Sequence, residues 1–350
     1  MPILMLIFIT AFSISYLVLP LVIQVARARD LYDEPNDRSA HLSPTPTLGG
    51  VGIFSGTFFA LILWMKASDF GAMQHVLVAF MFIFLAGARD DLIPLSPLAK
   101  LATQVLAAFV LVSKGQIGLH SLYGICGVYA LPAPVGLMLS VAVIVLIINA
   151  FNLIDGVNGL AASIGLLACV LFGIWFCLAR QILPATIAFS IAGSLSAFLK
   201  YNVTPARIFM GDTGSQFIGM VCAVLALQFI RRQEALPVGA PLAFHAAPVI
   251  ALSLLIAPLF DTCWAFVRRI VRGRSPFSPD KNHLHHLLLA QGCSHSQTTA
   301  ILVFASLCFV GLALALDWLG SPRLLAVQLF LAGLCALCLH WRIGKNNRRA

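Results

Sequence analysis

The residues best suited to chemistry in this chain are carboxylates, gathered in short polar islands. The segment GARDDLIPLSPLAK sets Asp90 and Asp91 side by side, with Lys100 at its end. Adjacent carboxylates repel, so both stay ionised only beside a cation or metal; a solvated loop pair is the plainer alternative. The segment NAFNLIDGVNGLA repeats Asn149, Asn152, Asp155 and Asn158 at intervals of three. On a helix each such step lags one turn by about 60°, which fans the four side chains over half the circumference. Gly156 and Gly159 predict that the helix unwinds there and lets them converge. Amides and carboxylates can read hydroxyls, a base or an acetamido group, and loosened backbone N–H groups can hold phosphate. A polar helix cap is the alternative.

Further along, YNVTPARIFMGDTGS places Asp212 between Gly211 and Thr213–Gly214, immediately before an apolar run. A glycine-flanked turn that presents one carboxylate at a helix start suits Mg²⁺ bridging a diphosphate; a simple Asp N-cap would look the same. The longest polar loop, RRIVRGRSPFSPDKNHLHHLLLAQG, carries Arg268, Arg269, Arg272, Arg274 and Lys281 ahead of His283, His285 and His286. No cysteine accompanies the histidines, and their spacing suits one tetrahedral zinc poorly, so anion binding is the better reading. In DEPNDRSAHLSPTPTLGG, prolines stiffen a loop and Gly49–Gly50 permit close backbone approach.

The elements that must position these islands follow from composition. The chain has 350 residues, 60% hydrophobic and 10% charged, with mean hydropathy +0.96. A soluble domain carries about 25% charged residues, so a soluble enzyme is excluded. Apolar runs at about 3–25, 48–65, 75–88, 98–113, 134–150, 160–178, 184–199, 214–230, 246–266, 298–318 and 323–340 predict eleven spanning helices. The expected fold is an all-α polytopic membrane protein, one domain over 1–350. No basic residue precedes the first run, and it exceeds an h-region, so it reads as a span and not a cleaved signal. Six of the nine cysteines fall inside apolar runs as small hydrophobes, and the Cys335–Cys338 pair reads as helix filler.

Lys and Arg set the orientation. With the N-terminus periplasmic and the C-terminus cytoplasmic, inner segments hold 16 basic residues and outer ones hold 6. The net charge of +9 is then inner-leaflet anchoring on membrane lipid and needs no nucleic acid. Ten of the thirteen acidic residues, among them Asp261, then collect at inner helix ends. Transporters place ionisable groups mid-span, so this distribution favours a reaction at the membrane–cytosol boundary. An intramembrane prenyltransferase would carry two D-x-x-x-D motifs, and none is found.

Taken together, the five segments resemble the polyprenyl-phosphate N-acetylhexosamine-1-phosphate transferases, the WecA/MraY family, over nearly the whole chain. NAFN-x-x-DG-x-x-GL and FMGDTGS are the specific matches, and SPFSPDKNHLHHLL is similar to the branch using UDP-N-acetylglucosamine and undecaprenyl phosphate. The resemblance implies Mg²⁺ (or Mn²⁺) as cofactor, with Asp212 as its principal ligand. It implies Asp90 and Asp91 at the lipid phosphate and metal, with Lys100 as a basic partner. Asn149, Asn152, Asp155, Asn158 and His283, His285 and His286 would then bind the UDP-N-acetylhexosamine. The implied reaction releases UMP and makes undecaprenyl-diphospho-N-acetylglucosamine, a first intermediate of O-antigen or related glycans, at the bacterial inner membrane. A homodimer is compatible with this reading. Three departures stand out: Pro94 where many relatives extend the pair to DDxxD, Asn158 where Asp is usual, and no lysine before PTPTLGG, which the branch using UDP-N-acetylmuramoyl-pentapeptide carries, with Arg38 or His41 as substitutes.

Overall fold

The computed structural model describes residues 2–33, 45–237, 239–273, 275 and 283–346, the last four of these without side chains. Arg38, His41, Arg274 and Lys281, named above, and the inner carboxylates Glu34, Asp37 and Asp280 lie outside the described residues. Each of the eleven apolar runs is helical. In chain order they form α1 (Pro2–Ala28), α2 (Gly49–Trp64), α3 (Phe70–Leu92), α4 (Pro97–Ser113), α5 (Ala133–Ile154), α6 (Leu160–Leu178), α7 (Ile182–Asn202) and α8 (Gly211–Glu234). They continue as α9 (Ala247–Leu254), α10 (Ile256–Val271), α11 (Leu284–Ala290), α12 (His295–Ala315) and α13 (Gly320–Asn346). A two-stranded antiparallel ribbon, β1 (Tyr32–Asp33) with β2 (Thr45–Pro46), closes the loop after α1.

Eight of these helices are long and apolar enough to cross a membrane, which makes this a multi-pass membrane protein. The shorter α2 and α4 and the bent pair α9–α10 supply the remaining apolar segments. Helix α8 is the hub: it packs against α2, α3, α5, α6, α7 and α9, and most of it is buried. By contrast α12 and α13 are mostly exposed, with Phe304, Leu307, Phe330 and Trp341 facing outward as lipid-exposed faces do. Cys335 and Cys338 are among those exposed side chains, in keeping with a filler role.

Two departures from the predicted spans matter for the site. The run expected as one span over 246–266 is broken: α9 and α10 meet at Leu255 with a bend of 86°. Pro258 explains the position, because a proline ring clashes with the carbonyl four residues earlier, and that residue, Leu254, is the last of α9. The polar loop after α10 also carries a short helix, α11, that starts at the histidines.

Candidate active site

Helices α3, α4, α5 and α8 bring their polar ends together at one end of the bundle. A cavity of about 530 Å³ opens there, lined by Tyr32, Thr47, Asp90, Asp91, Asn152 and Leu153, with Asp155, Gly156, Gly211 and Asp212 completing it. Three of the sequence islands therefore share one wall.

The adjacent aspartates do different things. Asp91 reaches from the end of α3 to the start of α8: Oδ1 accepts from the Asp212 backbone N–H at 2.7 Å, and Oδ2 from the Thr213 N–H at 3.0 Å and the Thr213 hydroxyl at 2.5 Å. A carboxylate over free helix N–H groups is stabilised by hydrogen bonds and by the helix dipole. Gly211 makes this approach feasible. Its φ is +72°, and a Cβ there would lie 2.1 Å from the Thr47 carbonyl oxygen and 2.6 Å from Asp91 Oδ2. Of the adjacent pair, Asp91 thus gives both oxygens to α8, and Asp90 is the one that lies against a cation.

Asp90 turns the other way. Its Oδ1 accepts from the Leu95 N–H at 2.7 Å, and its Oδ2 lies 3.1 Å from Lys100 Nζ. Lys100 stands one turn into α4, whose start is fixed by the Ser96 cap on the Ala99 N–H and by Pro97. Its ammonium bridges to Asp212 Oδ2 at 2.5 Å and lies 3.4 Å from Asn152 Oδ1. Asn152 in turn donates to Asp212 Oδ1 and, at 2.9 Å, to Ser215 Oγ. Asp212 is thus no N-cap. Asp91 takes that duty, and the Asp212 carboxylate is turned into the cavity with its side chain 29% exposed.

Asp155 caps the end of α5 and lines the same cavity. Burial, with the facing carboxylates of Asp212 and Asp91, pushes its carboxyl well above the ordinary range. Such a site stays ionised only with a cation present. Asp90, Asn152, Asp155 and Asp212 line one cavity and offer oxygen donors, the hard-ligand chemistry that suits Mg²⁺. An ammonium already bridges two of them.

The helix does unwind at 155–158, as the glycines predict, with Gly159 in the left-handed region at φ +78°. The four polar side chains do not converge, however. Only Asn152 and Asp155 line the cavity. Asn149 donates to Gln104 Oε1 at 2.6 Å, and Gln104 donates to Gln216 Oε1 at 3.1 Å, a buried chain tying α4, α5 and α8 below the site. Asn158 donates to Thr204 Oγ1 at 3.2 Å, while its backbone is held by His295 and Thr299 of α12. His285 and His286 lie beside the Gly156 rim, where a Cβ would come within 3.7 Å of His285 Nε2 and 3.8 Å of His286 Cε1, and His283 stacks on His285.

Sequence reasoning missed Gln104, Gln216 and Ser215 as part of this assembly, and it treated Asp261 as only one of many inner carboxylates. A carboxylate inside the run PLFDTCW and two glutamines inside apolar helices were the available signals, because isolated polar groups there need partners.

A multi-pass helical bundle with a carboxylate-and-lysine cavity at one end is the frame of a membrane-embedded transferase acting on charged groups. Residues 73–230, which span α3 to α8, match glycosyl transferase family 4. The chain is 34% identical over 335 residues to the decaprenyl-phosphate N-acetylglucosaminephosphotransferase of Mycobacterium leprae, covering 90% of this chain and 84% of that one. It is 31% identical over 306 residues to a probable undecaprenyl-phosphate N-acetylglucosaminyl 1-phosphate transferase of Bacillus subtilis, covering 86% and 82%. With the undecaprenyl-phosphate alpha-N-acetylglucosaminyl 1-phosphate transferase of Yersinia pestis it shares 29% over 357 residues, 98% and 93% of the two chains. The chain belongs to the WecA/MraY family of polyprenyl-phosphate N-acetylhexosamine-1-phosphate transferases.

Proposed function

We propose that the protein transfers N-acetylglucosamine 1-phosphate from UDP-N-acetylglucosamine to undecaprenyl phosphate, giving undecaprenyl-diphospho-N-acetylglucosamine and UMP. The observation that carries the reading is the Lys100 ammonium held between Asp90 and Asp212 beside Asn152, at the mouth of a helical bundle. Relatives named for this transfer support the donor and acceptor.

In this reaction an oxygen of the lipid phosphate attacks the β-phosphorus of the donor, and the bond from that phosphorus to the bridging oxygen breaks, leaving UMP. Phosphoryl transfer needs mainly positioning and neutralisation of charge. Lys100 supplies a fixed positive charge, and Asp90, with its second oxygen on Leu95 N–H, holds that ammonium in place. The lipid phosphate has a second pKa of about 6 and is mostly dianionic at cytoplasmic pH, so a general base gains little. Asp90 therefore acts by placing charge. Asp212 and Asp155, with Asn152, would hold Mg²⁺, which when bound screens the diphosphate and stabilises charge on the leaving group. Asp91 keeps the start of α8, and so Asp212, at a fixed height in the wall.

The site faces the cytoplasm of a bacterial inner membrane in this reading, where a soluble nucleotide donor arrives, and the product feeds O-antigen or a related surface glycan. The deciding assay offers purified protein, Mg²⁺ and undecaprenyl phosphate each UDP-sugar in turn and measures UMP release. UMP release with UDP-N-acetylglucosamine is expected; turnover only with another donor would reassign the sugar, and none with any donor would refute the reading. Orientation is tested by Ser275→Cys in a cysteine-free background, which should react with an impermeant maleimide only after inner-face access is opened.

A further inference from the structure

A second carboxylate-centred cluster lies behind the cavity. Asp261, on the first turns of α10, is only 3% exposed. Its Oδ1 accepts from the Leu284 N–H at 2.6 Å, at the first residue of α11. Its Oδ2 lies 2.8 Å from His285 Nδ1 and 3.4 Å from His283 Nδ1. Arg269, also buried, brings Nη2 to 3.4 Å from His283 Nε2. A guanidinium only donates, so that Nε2 is the lone-pair nitrogen and the His283 proton sits on Nδ1, towards Asp261. His285 must likewise carry its proton on Nδ1 to approach a carboxylate at 2.8 Å. One buried carboxylate thereby fixes the His285 ring and one backbone N–H, and lies in ion-pair range of His283.

The third histidine is treated differently. His283 and His285 are buried, whereas His286 is half-buried and packs against His285 with ring centroids 4.3 Å apart and planes tilted by 48°. Both His285 and His286 abut Gly156, the cavity-lining residue next to Asp155. The turn 155–158 lies just beyond the end of α5.

We propose that Asp261 is a positioning residue: it buckles His283 and His285 into a rigid platform so that His286, the half-buried ring of the three, is presented beside the Gly156 rim to the phosphate oxygens of the nucleotide-sugar donor. The inference rests on the phosphoglycosyl transfer proposed above and divides the histidine run into two structural members and one ligand-contacting member. Ring orientation set through a carboxylate–histidine hydrogen bond is a recurrent way to hold an imidazole ready.

The test is a double-mutant cycle on the full-length protein in detergent, with KM for UDP-N-acetylglucosamine and for undecaprenyl phosphate measured separately. Asp261→Asn keeps an acceptor for Leu284 but turns an N–H at His285. It should raise the donor KM about tenfold, leave the acceptor KM unchanged and preserve the thermal midpoint. His286→Ala should give a donor KM rise of similar size. The double variant should be no worse than His286→Ala alone, because Asp261 acts through that ring. Additive losses, or equal losses against both substrates, would overturn the proposal. If Asp261→Asn does not fold, His285→Asn decides by the same cycle, since it keeps an N–H for Asp261 while removing the ring beneath His286. A wild-type protein inactive with every UDP-sugar would refute the functional reading itself, whereas an active wild type with an additive cycle would refute only this inference.

Discussion

Two carboxylate clusters, one on each side of Gly156, have opposite characters. Around Asp212 the acidic groups face a cavity, share a lysine and an amide, and keep part of their surface in reach of solvent. Around Asp261 a single carboxylate is sealed, and each of its oxygens meets a histidine ring or a backbone N–H. The contrast shows how burial sorts one chemistry into two jobs. A carboxylate with its partners fully supplied by the protein fixes geometry, while one whose partner is an ammonium at an open mouth can exchange that partner for a ligand.

The largest break in this comparison should come from Asp212→Asn. It removes the charge at the centre of the open cluster while Lys100 keeps Asp90, so the fold should survive. Turnover is expected to fall by about 10³-fold, in the range lost when a main electrostatic group is removed. Mg²⁺-dependent donor binding, measured by calorimetry, should disappear with it. Wild-type Mg²⁺ dependence in this variant would remove Asp212 as the principal ligand.

Next in size is Lys100→Met, expected to cost about 10²-fold in turnover by loss of a preplaced positive charge. It also leaves Asp90 and Asp212 facing each other without a cation, so the variant should demand more Mg²⁺. A KM for Mg²⁺ equal to wild type would show that the ammonium and the metal do not share these oxygens.

Asp90→Asn separates charge placement from proton abstraction. A base would be missed near pH 6 and dispensable near about pH 8.5, where the lipid phosphate is fully ionised on its own. Roughly tenfold loss, constant across that range, is expected. Strong alkaline recovery at saturating Mg²⁺ would make Asp90 a base.

Asp91 sits in the open wall but behaves like the sealed cluster, so Asp91→Ala should show up in stability. Loss of a helix cap costs about 1–2 kcal/mol; the thermal midpoint in detergent should drop by a few degrees, and Asp91→Asn, which keeps one acceptor, should recover part of it. An unchanged midpoint with abolished turnover would return Asp91 to the chemistry. The smallest effect belongs to Asn158→Ala. It loses one exposed hydrogen bond to Thr204, and donor KM should stay within about threefold; a larger change would restore Asn158 as a donor-binding residue.

The sequence by itself determined the class and the ends. Hydropathy alone marks every apolar run that proves helical, though not the break inside 246–266, because a bilayer-crossing segment must satisfy its own backbone, which leaves a signal local to each run. The unwinding at Gly156 and Gly159 and the turn at Gly211 were equally local, since backbone freedom is a property of the residue. Partner choice was not local. Asp91 became the cap of α8 across 121 residues, Asn149 turned to Gln104, and Asp261 closed on two histidines beyond a proline-broken helix. Identical side chains at regular spacing carried no mark of which would face the cavity. Only the packing of α3, α4, α5 and α8 decided that, because a buried polar group takes whatever partner the neighbouring helix brings within hydrogen-bonding distance.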